Sequence, residues 1–357
     1  MSQGNAPKKV LVTGATGMIG AATLARLLAA RKYVLKGQVR DRIEARQKLG
    51  DKFDVAMIEL EAQEFTRAGE REMGMLTKGC NAVIHCAGLV HNENATYQEF
   101  EVVNVRATQA LADSCVANGV HTLVFLSTSA VYGRGPFHKA QEVGPLAAKT
   151  PYAVSKLTSE NYLQSLAGKI PRIIILRPSM VFGEGDRGNM LSLIKQIKEE
   201  KYVHVSGGAT LKSLIYAGDV AHAIELCLDK APPGVHILNV ANPDPVSMKD
   251  LADIIAESLN ISKKFQSMPE GLLSGRQGRP RLYARQGTGD DRSDRQDDDR
   301  DYMLCRQART SYSVCAQHRS QISGQARDCL GSKDQPDLKS CDWQPMPQAS
   351  GLGLYCP

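Results

Sequence analysis

TGATGMIG, Thr13 to Gly20, follows the apolar run KKVLV and precedes AATLARLLAA. Its glycines stand at positions 14, 17 and 20. A turn this tight needs a positive φ or an absent β-carbon, and glycine supplies both. With a strand before it and a helix after it, the loop aims free amides and a helix dipole at an anion such as a pyrophosphate. The spacing differs from the more usual Gly-x-Gly-x-x-Gly. A plain strand-to-helix turn is the structural alternative.

Outward from this loop, strand-like and helical runs alternate to about residue 260. NAVIHCAG, HTLVFLSTS and PRIIILRP read as strands. VNVRATQALADSCVANG and TPYAVSKLTSENYLQSLAG read as helices that stop near Gly119 and Gly168. Strands apolar along their whole length indicate a parallel sheet covered on both faces, an α/β doubly wound fold. Helices at 190–201, 219–229 and 247–259, with a strand at 235–240, are expected to build a smaller, later region.

Composition limits the function classes. Of 357 residues, 42% are hydrophobic, enough for a real core. No apolar run reaches the roughly 18 residues of a membrane span, and MSQGNAPKKV carries no signal-peptide core. A soluble, cytoplasmic protein is expected. The net charge of +6 comes from basic residues mixed with acids, which does not point to nucleic acid. Cys80, Cys86, Cys115 and Cys227 read as buried thiols. His85, His91 and His121 show no metal-like spacing, and no metal is assigned.

After about residue 272 the character changes. DDRSDRQDDDRD, 290–301, contains only Asp, Arg, Ser and Gln. Beyond it Cys305, Cys315, Cys329, Cys341 and Cys356 are scattered, and Trp343 stands without apolar neighbours. One reading is a disordered tail, which cannot bury enough surface to offset its ordering entropy. A second is the product of a reading-frame shift near 272–276. A third is an arginine-rich RNA-binding tail, whose field the aspartates would largely cancel.

PYAVSK, Pro151 to Lys156, places a tyrosine one helical turn before a lysine, just after a helix-starting proline. An ammonium near a phenol favours the phenolate and lowers the tyrosine pKa, giving a proton donor and acceptor near neutral pH. A bland amphipathic helix start fits the same letters.

TGATGMIG, HCAG at 85–88, STSAVYG at 127–133, PYAVSK and LRPSMVFGEGD at 176–186 occur in this order. With them the chain, from residue 8 to about 270, resembles the extended short-chain dehydrogenase/reductases. More narrowly, it resembles their NAD-dependent epimerase/dehydratase branch, which acts on nucleotide sugars. The resemblance implies a Rossmann-type domain over 8–180, a substrate-binding region over 181–271 interleaved with it, and an atypical tail over 272–357. It makes Tyr152 the catalytic acid/base, Lys156 its partner at the nicotinamide ribose, and Thr128 the hydroxyl that holds the substrate oxygen. Ser129 is a neighbouring substrate contact. Gly14, Thr16, Gly17, Met18, Ile19 and Gly20 become the cofactor loop. Ala87, Gly88 and Asn104 line the cofactor, and Glu59, with Leu60, takes the place of an adenine-binding aspartate after the third strand.

Departures narrow the chemistry. Ser129 and Ala130 stand where the family's dehydratases carry an Asp-Glu pair, so 4,6-dehydration is not expected. Lys212 stands seven residues before Asp219, where many UDP-sugar enzymes have arginine. It keeps a charge for a diphosphate but loses the bidentate fork. VLKGQVRD ends the second strand with Arg40 at the position that discriminates the dinucleotides, which favours NADP slightly over NAD. The expected function is NAD(P)-dependent hydride transfer at a sugar hydroxyl or keto carbon, giving epimerisation or net redox. The alternatives are an NADPH-dependent reductase or dehydrogenase of a steroid- or flavonoid-like carbonyl, and a non-catalytic NADP-binding protein. The resemblance also implies a homodimer formed through the helices at 102–118 and 151–167.

Overall fold

The computed structural model describes residues 8–269, apart from 66–68, 91–94, 187 and 263–264. The readings of the tail beyond 272 and of His91 lie outside the described residues.

The central element is a seven-stranded sheet. Its strands are β1 (Lys8–Thr13), β2 (Tyr33–Val39), β3 (Ile58–Ala62), β4 (Ala82–His85), β5 (Thr122–Leu126), β6 (Arg172–Pro178) and β7 (Gly234–Val240). They lie in the order β7-β6-β5-β4-β1-β2-β3, and every neighbouring pair is parallel. The helices are α1 (Met18–Ala30), α2 (Arg42–Gly50), α3 (Glu70–Thr77), α4 (97–117), α5 (Pro151–Ser165), α6 (Asn189–Lys198), α7 (Ala217–Lys230) and α8 (Met248–Ser258). This is the Rossmann-like, doubly wound arrangement. The strand expected at 235–240 is the sheet's edge strand β7, paired with β6.

Both faces of the sheet are covered. Val10 and Val12 of β1 join α1, α2 and α7 residues such as Leu24, Leu49 and Ile224 in one core. Leu11, between them, joins Met73, Leu111 and Leu163 of α3, α4 and α5 in the other. That alternation follows from the period of two along a strand, and it explains the uninterrupted apolar runs. The strand order reverses between β1 and β4, which opens a crevice at their C-terminal ends. The glycine loop after β1 and the HCAG stretch at the end of β4 flank this point.

The described residues fall into two compact units, one of 8–182 with 213–243, the other of 183–212 with 244–269. In the second unit α6 packs on α8. The segments Leu211–Lys212 and Val246–Ser247 pair antiparallel there. The rings of Tyr202, His204 and Phe265 meet edge-on.

Candidate active site

The glycine loop is shaped by contacts that exclude side chains. Gly14 has φ +63°, and a Cβ there would lie 2.8 Å from the Ala87 backbone. A Cβ on Gly20 would lie 2.2 Å from the Gly14 carbonyl oxygen. The Gly17 N–H donates to that carbonyl at 2.9 Å, closing the turn. Thr16 and Gly17 are exposed, Met18 and Ile19 partly buried. α1 starts with no capping side chain and no acid in its first turn. Its first amides therefore fit the pyrophosphate of a dinucleotide, both in hydrogen bonding and in dipole.

Gln38, which sequence reasoning missed, braces this loop. Its Oε1 accepts from the Gly14 N–H at 2.9 Å, and its backbone carbonyl accepts from the Ala15 N–H at 3.1 Å. Arg40 follows the end of β2 and is exposed. Asp41 is committed to capping α2, accepting from the Ile43 and Glu44 N–H groups at 2.7 and 2.8 Å. Arg42 pairs with Glu61 at 3.2 Å.

Glu59 is not brought to this site. It is the second residue of β3 rather than a residue after it, level with Lys36 in the sheet register. Its carboxylate binds Lys9 at 2.6 Å and lies 3.7 Å from Lys36, which holds it below the usual carboxylate range. The strand runs on to Ala62, so the residue that emerges at the C-terminal end is Gln63, whose N–H donates to the Val39 carbonyl at 2.9 Å. Leu60 is buried in the core, and its side chain, like that of Ala15, lies over Gly37.

The catalytic candidates converge at the ends of β4 and β5. Thr150 caps α5, accepting from the Ala153 N–H at 3.1 Å, with Pro151 in the first turn. This fixes the start of the helix that carries Tyr152 and Lys156. The Thr128 side chain favours the ionised form of the Tyr152 phenol, and its Oγ1 accepts from the Ala130 N–H at 3.2 Å. Ser129 follows on the turn Ser129–Tyr132 and is partly buried. The Tyr152 ring packs on Phe100, centroids 6.1 Å apart. Lys156 is buried; its Nζ donates to the Leu126 carbonyl at 2.7 Å and lies 4.7 Å from the Phe125 ring centroid.

The expected lowering of the tyrosine by the lysine is not what this geometry gives. Burial pushes the Tyr152 phenol up to about 12, against the opposing pull of the Thr128 side chain. Lys156 directs its ammonium at a carbonyl, and burial lowers it to about 8, with Cys86 and Glu160 acting the other way. Desolvation disfavours the charged form of both groups and is the largest influence on each.

Asn104 completes the cluster. It lies in a π-helical stretch, Glu101–Arg106, inside α4, an interruption frequent at functional sites. Its Oδ1 accepts from the Leu89 N–H at 2.7 Å. Its Nδ2 donates to the Leu89 carbonyl and the Ser155 hydroxyl, both at 3.0 Å. A Cβ on Gly88 would come within 3.1 Å of Asn104 Oδ1 and 3.3 Å of Lys156 Nζ. Ala87, Gly88, Asn104 and Lys156 are thus neighbours. Lys212 lies in the second unit and is exposed.

Below the cluster is a buried ion pair, also missed. Arg177 Nη2 meets Glu160 Oε2 at 2.6 Å, both side chains essentially inaccessible. Ser127, next to Thr128, donates to Glu160. Arg177 Nη1 donates to the Tyr132 hydroxyl at 3.0 Å. The available signal was Arg177 directly after the apolar run Ile173 to Leu176 in PRIIILRP. Among the described residues no group of three or more His, Cys, Asp or Glu is arranged to hold a metal.

The sequence matches the model of the NAD dependent epimerase/dehydratase family over residues 10–241. The chain belongs to that family. Among its relatives is an N-acetyl-alpha-D-glucosaminyl-diphospho-ditrans,octacis-undecaprenol 4-epimerase of Escherichia coli O157:H7. The two are 33% identical over 180 residues, which is 48% of this chain and 54% of the relative. The chain thus spans about half the length of that protein. It is 25% identical to a UDP-glucose 4-epimerase of Vibrio cholerae, over 71% of this chain and 76% of the other. Its fold is similar to that of a UDP-glucuronic acid 4-epimerase from Bacillus cereus in complex with NAD. There the TM-score is 0.64 at 22% identity, covering 73% of this chain and 87% of that one.

Proposed function

We propose that this family member is an NAD(P)-dependent oxidoreductase or epimerase that acts on a nucleotide sugar. The observation that carries the reading is that Tyr152 and the buried Lys156 lie one turn apart on α5, with the Thr128 side chain acting on the Tyr152 phenol. Bound NAD(P) supplies hydride exchange with a carbinol carbon. Tyr152 takes or returns the proton of the sugar hydroxyl, and Thr128 orients that oxygen. A phenol raised to about 12 stays protonated at neutral pH and is poorly placed to accept a proton. Its task therefore calls for the positive charge of Lys156 on the same helix face. Ser129 contacts the substrate, and Lys212 offers a positive charge to the diphosphate. The relatives' names support a sugar diphosphate: a nucleotide sugar for the Vibrio cholerae enzyme and a polyprenol-linked sugar for the Escherichia coli one.

Two further parts of the reading rest on particular residues. Arg40 at the end of β2 supports NADP over NAD, and it is the observation that favours the second reading, an NADPH-dependent reductase of a non-sugar carbonyl. α4 and α5 are the faces proposed for a homodimer, which sedimentation tests. No helix among the described residues is long and apolar enough to cross a membrane; a cytoplasmic location is the accompanying proposal.

The test is incubation of the full chain with UDP-glucose, UDP-N-acetylglucosamine or UDP-glucuronic acid and either dinucleotide, followed by proton NMR of the anomeric region. A new epimer, or substrate-dependent change in nicotinamide absorbance, supports the reading. Conversion of an added steroid or flavonoid ketone with NADPH, and of no sugar nucleotide, replaces it with the second.

A further inference from the structure

His85 ends β4 inside the sheet, 1% exposed, and no catalytic step above uses it. Its two ring nitrogens each meet a threonine. Nδ1 lies 2.8 Å from Thr13 Oγ1, and Nε2 lies 2.9 Å from Thr108 Oγ1. The direction of every bond in this row can be assigned by counting protons.

A hydroxyl has one proton to give. Thr108 gives its proton to the Asn104 carbonyl at 2.5 Å, an acceptor only. Thr108 Oγ1 must therefore accept from His85, and the proton sits on Nε2. Burial, helped by the charge of Lys156, pulls His85 down to about 3, so the ring carries a single proton. Nδ1 is then an acceptor, and Thr13 donates to it. Thr13 Oγ1 in turn accepts from the Ala87 N–H at 3.2 Å. The row runs one way, from the Ala87 N–H through Thr13, His85 and Thr108 to the Asn104 carbonyl.

Both ends of this row are parts of the site. Ala87 touches Gly14, where any Cβ would collide with it. Asn104 holds Leu89 and Ser155 through its carboxamide, and its carbonyl also accepts from Ser159 at 2.9 Å. A π-helical stretch leaves carbonyls out of the regular i to i−4 ladder, so side chains must set their direction.

We propose that His85, as the neutral Nε2–H tautomer, is a positioning residue that couples the glycine loop to the π-helical turn of Asn104. A phenylalanine of similar size would fill the space and leave the Thr13 hydroxyl without its acceptor and Thr108 Oγ1 without its donor. The functional consequence rests on the dinucleotide reading above, but the coupling itself does not.

The experiment uses the uniformly 15N-labelled full chain, Thr108→Val and Thr108→Ser. Valine keeps the volume of threonine and breaks the row; serine keeps the row. Three readouts are expected. The His85 15N shifts of the unliganded wild type show a protonated Nε2 and an unprotonated Nδ1. The Asn104 side-chain amide signal moves in Thr108→Val and returns in Thr108→Ser. NAD(P) binding by calorimetry weakens about tenfold in the valine variant and recovers to within about twofold in the serine variant, as for loss and retention of a hydrogen bond. A protonated Nδ1, or an Asn104 signal unmoved by valine, overturns the coupling. An unmoved dinucleotide affinity in a folded valine variant overturns its functional role. Failure of the wild type to bind either dinucleotide overturns the functional reading instead, and the two NMR readouts still decide the coupling. If Thr108→Val does not fold, His85→Gln, which retains only the donor toward Thr108, is read the same way at the Ala87 amide, and an unmoved signal there is contrary.

Discussion

The two ends of the parallel sheet handle polar groups in opposite ways. At the N-terminal end, charges pair at the surface. Lys9 meets Glu59 at 2.6 Å, and Lys32 meets Asp229 at 2.9 Å beside the Tyr33 hydroxyl. At the C-terminal end, three buried polar groups are held by specific partners: Lys156 by the Leu126 carbonyl, Arg177 by Glu160, Asn104 by Leu89 and Ser155. Exposed pairs are screened and contribute little, whereas an unpartnered group in the buried set costs several times more. The dense, costly end is the end where a parallel α/β sheet binds its ligand.

The sharpest way to break this contrast is Tyr152→Phe. It removes one hydroxyl from the buried end, and turnover should fall about 100- to 10,000-fold, with dinucleotide affinity little changed. Steady-state rates and calorimetry on the same preparation check both halves. A variant with full turnover would move the chemistry to another residue.

Glu160→Ala comes next. It leaves the Arg177 guanidinium buried without its carboxylate, which should cost about 3–5 kcal/mol of stability. Urea denaturation reads it. A loss under about 1 kcal/mol, the value of a surface pair, would erase the distinction between the two sheet ends.

Lys156 offers a pH test with a definite sign. Its folded value of about 8 lies below its ordinary 10.5. Between those values the unfolded chain binds more protons, so stability rises with pH. Wild type should therefore gain stability relative to Lys156→Met as pH goes from about 8 to 10, in denaturation curves run in parallel. Tyr152, raised from 10.0 to about 12, acts in the opposite sense only above pH 10. Parallel curves for the two proteins across the lower window would contradict a buried lysine.

The smallest effect is expected from Glu59→Gln, which touches only the pairs with Lys9 and Lys36. Stability should change by less than about 1 kcal/mol, and dinucleotide affinity should be unaltered. A clear loss of affinity would return Glu59 to the adenine.

This last variant also marks where sequence reading stopped. The glycine loop and the strand-helix alternation were legible because each is a local pattern: glycines in a turn, apolar runs buried on both faces. Tyr152 and Lys156 were legible because one helical turn links them. Glu59 was misplaced because its location depends on where β3 ends, and the strand runs three residues beyond it. α2 went unread because only Ala45 and Leu49 of its nine residues are buried, too few to show a period. Gln38, Asn104's π-helical setting and the Glu160–Arg177 pair depend on contacts between segments far apart in the chain. No local pattern announces such contacts.

The central claim is that the C-terminal end of the sheet holds a nicotinamide dinucleotide. The direct measurement is to denature freshly purified full-length protein, identify any nucleotide released, and titrate the remaining native protein with NAD, NADH, NADP and NADPH. The account predicts either stoichiometric release of NAD, as for a cofactor recycled in place by an epimerase, or an empty site that binds NADPH more tightly than NADH, as Arg40 implies. A folded protein that releases no dinucleotide and binds none of the four would contradict it.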